Sequence, residues 1–537
     1  MFPERPRSFR CLLLAVLAGV PAGSASGRQV LHQFDGTQIG GHFGQDVSGA
    51  QDVNADGFVD VIVGAPEEQL PGYDRTGAAH AFSGLDGSIL HSFTGTNHRE
   101  MLGLAVSDLT DVNGDGFADL VVSSRSSSTR VFSGRTPGVI LFWIADWASA
   151  LDVAGDVNND GFPDLVIGRP YPDYRGEVDL VSGRNGARIY RRRDTVDGRG
   201  FGQDVAGLGD TNLDGWADFA VGAPYPSGDG PGLVQVRSGQ DGSLLRELWG
   251  DHPGDLLGGA VSAAGDVDGD GYDDIFAGAP GAGRARVVSG RTGVKLLEFP
   301  GRDPGDRFGA ALDLAFDLNG DGAGDLAVGA PGAGGVGQIV AYSGTDGAPL
   351  LSRAGAYPGA EFGSSVSGLG DMDQDGLADL IVGAPGRGAN GAGAGGAVVL
   401  SGRCGAATAF GQGCAGSGGF IPRLDVTPLA DCFVLGSAVR IEVTGGLGGP
   451  EVPVGLLVGL SEGSWTLPSG CVLVVAPPPN SLLIPLGELS GVGNGNGTLF
   501  LSTPSLNVPG TVYLQALIDD SFQGLVVTNG VRLTLRP

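Results

Sequence analysis

Basic residues are scarce in this chain of 537 residues. Lysine and arginine together number 32 against 60 aspartate and glutamate residues, which gives a formal net charge of −28 at pH 7. A surface of this sign repels the phosphate backbone, so the composition excludes nucleic acid as a partner. The acidic residues therefore need another explanation.

Long apolar runs are missing as well. The one clear run, residues 12–20, is too short to span a bilayer, and it follows Arg5, Arg7 and Arg10, which is typical of a secretory signal at residues 1–26. We therefore expect a secreted protein, extracellular or at the cell surface, without a membrane span. The 100 glycines and 32 prolines favour strands and turns over long helices.

Cysteine is absent between residues 27 and 403. Four cysteines follow, Cys404, Cys414, Cys432 and Cys471. An even number in an exported chain favours disulfides, and three pairings are possible, of which we favour Cys404 with Cys414 and Cys432 with Cys471. A zinc site is the alternative, but the chain has no Cys-x-x-Cys pair.

Histidine is too sparse to suggest an enzyme. Residues 459–463 have the spacing of a nucleophile elbow, but no histidine follows His252, so a serine hydrolase of that kind would lack its base. Residues 332–337 match a dinucleotide-binding glycine pattern, yet a strand rather than a helix is expected after them. The sequence therefore contains no recognisable catalytic constellation.

Many of the acidic residues belong to one nine-residue pattern, Asp-x-Asn/Asp-x-Asp-Gly-x-x-Asp. It occurs seven times, and successive copies start 45 to 59 residues apart. A period of this size is typical of solenoids and of four-stranded propeller blades. The copies start at Asp52, Asp111, Asp156, Asp210, Asp266, Asp317 and Asp371.

The spacing of the oxygen atoms in each copy suits a hard cation. Calcium takes six to eight oxygen ligands from a tight loop, and side chains one, three, five and nine with the carbonyl of residue seven can supply five. For a single copy an Asx turn without metal is the alternative. An EF-hand is excluded because β-branched strands, not helices, follow the loops.

The sequence thus predicts up to seven Ca²⁺ ions. The expected ligands are Asp52, Asn54, Asp56, Phe58 and Asp60; Asp111, Asn113, Asp115, Phe117 and Asp119; Asp156, Asn158, Asp160, Phe162 and Asp164; Asp210, Asn212, Asp214, Trp216 and Asp218; Asp266, Asp268, Asp270, Tyr272 and Asp274; Asp317, Asn319, Asp321, Ala323 and Asp325; and Asp371, Asp373, Asp375, Leu377 and Asp379.

Three further short motifs recur around these loops. Phe-Gly pairs such as Phe43-Gly44 precede them, Gly-Ala-Pro as at residues 64–66 follows them, and a strand ending in Ser-Gly comes later. The second unit departs most, with Ser123-Ser124-Arg125 in place of Gly-Ala-Pro. Together these motifs resemble the FG-GAP repeats of the integrin α N-terminal propeller and its bacterial relatives.

The resemblance implies an all-β fold with a seven-bladed calcium-binding β-propeller at residues 27–403. Residues 29–34 echo the fourth strand of a unit, so we expect them to complete blade seven. A Gly-rich linker is expected at residues 404–419 and a small β-sandwich at residues 420–537.

By the same resemblance the ligand would bind the face opposite the calcium loops. The most aromatic loops there are in the first four units, and Tyr and Arg are common at binding hot spots. Candidate ligand-binding residues are Tyr73, Arg75, Trp143, Tyr171, Tyr174, Arg175 and Tyr225. The expected function is adhesion to, or binding of, an extracellular glycan or protein; the alternatives are a structural envelope or matrix component and, less favoured, a secreted hydrolase or lyase.

Overall fold

The computed structural model describes residues 28–404, except 127, 137, 145–146, 172–174, 197 and 226–229, and the backbone of eleven strands between residues 408 and 535. Within these residues the chain is all-β, and its only helical pieces are two short 3-10 turns at Pro304–Asp306 and Ala333–Gly335. The predicted signal at residues 1–26 lies outside the described residues.

Seven four-stranded antiparallel sheets follow one another along residues 28–404, which confirms the predicted seven-bladed propeller. The innermost strands are β2 (Val47–Gln51), β6 (Val106–Leu109), β10 (Ala150–Gly155), β14 (Val205–Gly207), β18 (Ala260–Gly265), β22 (Ala311–Phe316) and β26 (Val366–Gly370). The second strands are β3 (Asp60–Ala65), β7 (Asp119–Val122), β11 (Asp164–Arg169), β15 (Phe219–Ala223), β19 (Asp274–Ala279), β23 (Asp325–Ala330) and β27 (Asp379–Gly383). The third strands are β4 (Ala78–Phe82), β8 (Thr129–Phe132), β12 (Glu177–Val181), β16 (Leu233–Arg237), β20 (Arg284–Val288), β24 (Gln338–Tyr342) and β28 (Gly396–Cys404). The outer strands are β5 (Ile89–Thr94), β9 (Ile140–Ile144), β13 (Arg188–Arg193), β17 (Leu244–Trp249), β21 (Lys295–Pro300), β25 (Pro349–Ala354) and β1 (Arg28–Asp35).

The ring closes through its first strand. β1 pairs antiparallel with β28, so the seventh sheet has the order β1-β28-β27-β26 and draws its outer strand from the start of the described chain. The innermost strands β2 and β26 also lie against each other. Both edges of the ring are therefore covered, which removes the unpaired strands that invite aggregation.

The second strand of each blade forms the centre of the core. Its residues are buried on both faces, as in Asp60–Ala65 and Asp274–Ala279, because neighbouring blades cover each side. Apolar side chains of adjacent blades pack in clusters, for example Val61 and Val63 of blade one with Ile381 and Val399 of blade seven. Runs of Val, Ile, Leu and Ala without polar alternation suit this two-sided burial.

The Phe-Gly and Gly-Ala-Pro motifs are joined by a backbone hydrogen bond. The amide of Gly44 donates to the carbonyl of Gly64 at 2.9 Å, and five other units repeat this contact. The second unit keeps it although its motif differs, since Gly103 donates to Ser123 at 2.8 Å. The substitution of Gly-Ala-Pro there leaves this part of the blade intact.

The C-terminal strands form separate antiparallel sheets. One has the order β29 (Thr408–Phe410), β39 (Gly530–Leu535), β37 (Gly510–Asp520), β32 (Val452–Gly459), β35 (Ser481–Leu489), with β38 (Gly524–Val527) also on β37. A second has the order β30 (Arg423–Pro428), β31 (Ala438–Thr444), β36 (Gly497–Ser502), and a third pairs β33 (Glu462–Thr466) with β34 (Val472–Val475). The linker and the β-sandwich stay predictions, as do the disulfides, since Cys414, Cys432 and Cys471 lie outside the described residues.

Carboxylates line the axial channel and connect neighbouring blades. Oδ2 of Asp46, Asp152, Asp204 and Asp313 each accepts a hydrogen bond of 2.8–2.9 Å from a backbone amide of the next blade. They surround a cavity of about 360 Å³ at the ends of the innermost strands. Poor solvation in this channel raises the pKa of Asp46 to about 6 and that of Asp152 and Asp204 to about 7.

We predict that Asp204→Asn changes how stability depends on pH. Because the folded-state pKa lies above the ordinary 3.8, the carboxyl stabilises the fold below pH 3.8, and this contribution is lost as the pH rises to about 7. The wild type should lose, relative to Asp204→Asn, up to about 1.4 kcal/mol per pH unit between pH 5 and 7. Urea unfolding at each pH measures the difference.

The exposed Asp346→Asn is the matched control and should follow the wild type at every pH. Parallel pH profiles for wild type and Asp204→Asn would contradict this account of the channel.

Candidate metal centre and opposite face

Each acidic loop, meaning one of the seven nine-residue repeats, joins the innermost strand of its blade to the second strand. Its first aspartate holds the turn together. In loop one Asp52 Oδ1 accepts from the amide of Asp56 at 3.0 Å and Oδ2 accepts from the amide of Gly57 at 2.8 Å. The same two contacts occur in all seven loops, at 2.9–3.1 Å and 2.7–2.9 Å.

Two residues of each loop have left-handed backbone. Gly57 has a φ of 88°, and the glycines at this sixth position all have φ values between 86° and 91°. The fourth residue is also left-handed in every loop, including Ala55 at 58° and Leu213 at 58°. Both conformations bend the chain so that the side chains at positions one, three and five, which are aspartate or asparagine, come close together.

The ninth residue is an aspartate that is completely buried in every loop. Asp60, for example, is 0% exposed. Its Oδ2 accepts from the amide of Val53 and its Oδ1 accepts from the amide of Gly84, both at 2.9 Å. All seven copies make this pair of bonds, at 2.8–3.1 Å and 2.8–3.2 Å. In six blades the ninth aspartate therefore ties the acidic loop to the Ser-Gly turn between strands three and four, and in blade seven it ties the loop to Gly402 within β28.

Burial raises the pKa of these ninth aspartates, and the neighbouring loop carboxylates raise it further. The pKa of Asp60 and Asp274 rises to about 6, and that of Asp325 and Asp379 rises to about 7. The two backbone hydrogen bonds oppose the shift without cancelling it. A cation in the loop would neutralise the same charge and favour the ionised form.

Two observations test whether the loops fit calcium. In loops five and seven the carboxylate oxygens of positions one, three and nine lie within 4.8 Å of one another, as in Asp371, Asp373 and Asp379. In addition, two buried oxygen atoms at predicted ligand positions have no hydrogen-bond donor, Oδ1 of Asn158 and Oδ2 of Asp375. Oxygen atoms gathered at this density match the donor set of a hard cation.

The other predicted ligands lie in equivalent places. The carboxylate of residue five accepts from the amide of residue seven at 2.9–3.2 Å in every loop, so the residue-seven backbone lies beside the centre. The side chains of residue seven point elsewhere: Arg135, Arg184 and Arg291 lie over the rings of Phe117, Phe162 and Tyr272. Only the backbone of that position could bind metal.

The face opposite the acidic loops carries most of the predicted ligand-binding residues. Tyr73, Tyr171 and Tyr225 lie on connections between strands two and three and are 44%, 62% and 44% exposed. Tyr73 packs on His98 with 4.8 Å between ring centres, and Tyr171 donates to Gln203 Oε1 at 3.2 Å. These rings are partly exposed yet held in place.

Arg75 and Arg175 are exposed on the same face, and Arg75 Nε lies 3.4 Å from Glu67 Oε2. Tyr174 lies outside the described residues. The predicted loop position of Trp143 is wrong, because this residue belongs to the outer strand β9. The apolar, β-forming run Ile140–Ile144 extends the strand past it, and the cross-strand neighbour Arg130 places its guanidinium 4.8 Å from the ring centre.

Sequence reasoning missed two sets of residues that matter here. The glycines of the Ser-Gly pairs are partners of the ninth aspartates. They follow these aspartates by 15 to 24 positions, so only the recurrence of Ser-Gly at the end of each third strand could have revealed this. The channel carboxylates were missed because they follow two different local patterns, Gln-Asp at residues 45–46 and 203–204 and Ala-Leu-Asp at residues 150–152 and 311–313. Nothing in a linear pattern shows that they meet at the propeller axis.

Comparison with known proteins matches these units to a described repeat. The FG-GAP repeat matches residues 43–82, 258–294, 308–342 and 362–400, and the FG-GAP-like repeat matches residues 111–167. Integrin alpha-5 of Xenopus laevis is 27% identical over 277 residues, covering 49% of this chain and 22% of that protein. Integrin alpha-4 of Xenopus laevis is 34% identical over 251 residues, covering 45% of this chain and 20% of that protein.

The chain thus spans about a fifth of the length of these relatives. A solved chain described as BBS1N in complex with ARL6DN superposes with a TM-score of 0.47 at 10% identity, covering 70% of this chain and 97% of that one. Among the described residues no helix has the length and apolar character needed to cross a membrane.

We predict that Gly84→Ala destabilises the propeller. A Cβ at Gly84 would lie 1.8 Å from the carbonyl oxygen of Val59, so the turn would have to move away from the ninth aspartate. The free energy of unfolding should fall by about 2 kcal/mol or more, measured by urea denaturation. Gly388→Ala is the control, because a Cβ there meets only ordinary contacts at 3.6 Å and beyond; equal stability of the two variants would contradict the prediction.

Proposed function

Because residues 28–404 form an FG-GAP propeller of the integrin α type, we propose that this protein is a ligand-binding module that acts outside the cell. Its ligand is a glycan or protein of a cell surface or matrix. Calcium in the acidic loops stabilises the module without touching the ligand, since the loops lie on the face opposite the exposed tyrosines.

The uneven chemistry of the opposite face is the observation that carries this proposal. Units one, three and four present Tyr73, Tyr171 and Tyr225, whereas the same connections of units five and six are built from small residues, 280–283 and 331–337. A propeller that served only as a scaffold has no need for partly exposed aromatic rings on one side. Such rings are the usual anchors of binding hot spots.

The packing of these tyrosines also favours binding. A Cβ at Gly200 would lie 2.8 Å from Cδ2 of Tyr225, which places that ring directly on the neighbouring connection. The amide of Tyr225 donates to the carbonyl of Arg199 at 2.9 Å. Rings that are already held in place lose little conformational entropy on binding.

The test is a binding screen of the full chain against immobilised extracellular proteins and surface glycans in millimolar calcium. We expect a saturable signal that weakens about tenfold or more with Tyr73→Ala, Tyr171→Ala or Tyr225→Ala, as expected for a hot spot. Tyr357→Ala, which removes an exposed tyrosine from the connection between β25 and β26, is the control.

Binding that none of the three substitutions weakens would place the ligand elsewhere. If the protein shows an intact thermal melt but no saturable binding, the proposal is wrong. If it instead self-associates in a concentration-dependent way, the result would favour a structural component.

Calcium removal gives a second prediction. Extracellular sites bind with a Kd of about 10⁻⁴ to 10⁻³ M, so millimolar calcium should stabilise the fold by about 0.4–1.4 kcal/mol per occupied site. A chelator should therefore lower the Tm of the wild type. Asp371→Asn, which removes the charge that holds loop seven, should lower the number of bound calcium ions by one in equilibrium dialysis.

Glu361→Gln on the opposite face, where the side chain is 52% exposed, should leave both the Tm shift and the bound calcium unchanged. A wild-type Tm that does not respond to the chelator, in a protein that holds no calcium by elemental analysis, would contradict the metal assignment.

A further inference from the structure

A cationic pocket lies on the opposite face where blades one and two meet. It has a volume of about 540 Å³ and is lined by Asp74, Arg75, Arg99, Met101, Arg125 and Ser126. Three of these six residues are arginines, in a chain whose net charge is −28. A cluster of positive charge in a protein with a large negative net charge needs a specific explanation.

Backbone hydrogen bonds bring the three arginines together from three segments. In the connection that contains Arg99, the amide of Arg99 donates to the carbonyl of Asp74 at 2.7 Å. The amide of Met101 donates to the carbonyl of Arg75 at 3.1 Å. The amide of Arg125 donates to Glu100 of the same connection at 3.0 Å. The pocket is therefore a built arrangement, because its three walls are joined through backbone and not through flexible side chains.

Arg99 occupies a position that favours glycine. Three residues before the Phe-Gly or Leu-Gly pair, five other units have Gly40, Gly198, Gly254, Gly305 and Gly359, and four of these have φ values between 70° and 86°. Arg99 adopts the same left-handed backbone at 57°. An arginine in this conformation has a backbone cost that the glycine of the other units avoids, so it is not there to shape the turn.

Arg125 comes from the departure in the second repeat. It takes the place of proline in Gly-Ala-Pro, at the end of the altered run Ser123-Ser124-Arg125. Its guanidinium Nη1 lies 3.9 Å from Met101 Sδ, and within the described residues it forms no ion pair. The unit that breaks the repeat thus adds a cation to the pocket.

The nearby carboxylates leave the pocket positive. Asp74 Oδ2 lies 3.2 Å from Arg99 Nε, and Glu67 outside the pocket lies 3.4 Å from Arg75. Glu100 is 0% exposed and pairs with the buried Arg130, so its charge is compensated below the surface. Three guanidinium groups face two carboxylates, which leaves one positive charge without compensation. An anionic group of a ligand would balance that charge.

We propose that this pocket binds the acidic group of a polysaccharide, either a uronate carboxylate or a sulfate ester. The inference rests on the proposed ligand-binding function and gives its ligand a chemical class. Guanidinium groups bind both kinds of oxyanion through paired hydrogen bonds. The rings of Tyr73 and His98, in tilted contact with 4.8 Å between their centres, lie next to Asp74 and Arg99 in the chain and offer a surface against which the apolar face of a sugar packs.

The experiment measures binding of the full chain to polygalacturonate, dextran sulfate and neutral dextran in millimolar calcium. The wild type should bind one or both acidic polymers and not neutral dextran, and the better of the two identifies the acidic group. Arg99→Gly restores the residue that other units have, so it should keep or raise the Tm while raising the Kd about tenfold or more. Arg125→Gln should also raise the Kd.

Arg307→Gly is the matched control. Arg307 also has left-handed backbone, with φ of 54°, a half-exposed side chain and an ion pair with Glu361, and it lies on the same face at another connection. Like Arg99→Gly, Arg307→Gly replaces a positively charged arginine with glycine. Because Arg307 does not line the pocket, the Kd of Arg307→Gly should equal that of the wild type. Equal weakening by Arg99→Gly and Arg307→Gly would show that only overall charge matters and would overturn the site.

The other outcomes separate this inference from the proposed function. If neither acidic polymer binds while another ligand binds through Tyr171 or Tyr225, the anion pocket is overturned and the ligand-binding function stands. If poly-glutamate binds as tightly as the polysaccharides and depends equally on Arg99, the partner is an acidic protein and the polysaccharide assignment is overturned. If nothing binds, both fail.

Discussion

The hydrogen bonds of the buried ninth aspartate are the contacts on which this propeller depends. In each blade one carboxylate accepts from the start of the acidic loop and from the Ser-Gly glycine at the end of strand three, and so joins strands one, two and three at one end of the sheet. A completely buried carboxylate is costly unless it is hydrogen-bonded and its charge is compensated. The acidic loop around it supplies oxygen atoms for a cation that would provide the compensation. The metal centre and the blade are therefore one structural unit.

The two faces of the ring differ in how faithfully the repeat is kept. On the face of the acidic loops, all seven units share the same hydrogen bonds and the same left-handed residues. On the opposite face the connections vary in length and chemistry, because few of their side chains are needed to hold the blades. Tyr73, Arg99 and Arg125 all occur in such connections. In a repeat fold, a specific site arises most easily in connections whose side chains are not needed to hold the blades together. The same is general for loops on a rigid scaffold.

The sequence predicted the seven blades and the strand that follows each acidic loop. These features follow from local chemistry repeated many times: Gly57 needs its backbone conformation, and Val61 to Val63 can only be buried between two neighbours. Where a single occurrence had to be interpreted, prediction was weaker. Trp143 was expected on a loop, although a strand of β-forming residues continues past it. The left-handed fourth loop residue was overlooked because its identity varies among Ala, Gly, Asn, Leu and Gln.

What the sequence alone determined is the blade, since a repeated pattern of aspartates, glycines and β-branched residues needs no knowledge of distant contacts. What only the tertiary structure decided is which residues of different blades meet. Asp46 and Asp204 are separated by more than 150 positions yet line one channel, and Arg75, Arg99 and Arg125 come from three segments. Ring closure sets these distances through the packing of whole sheets, and no local spacing along the chain encodes them.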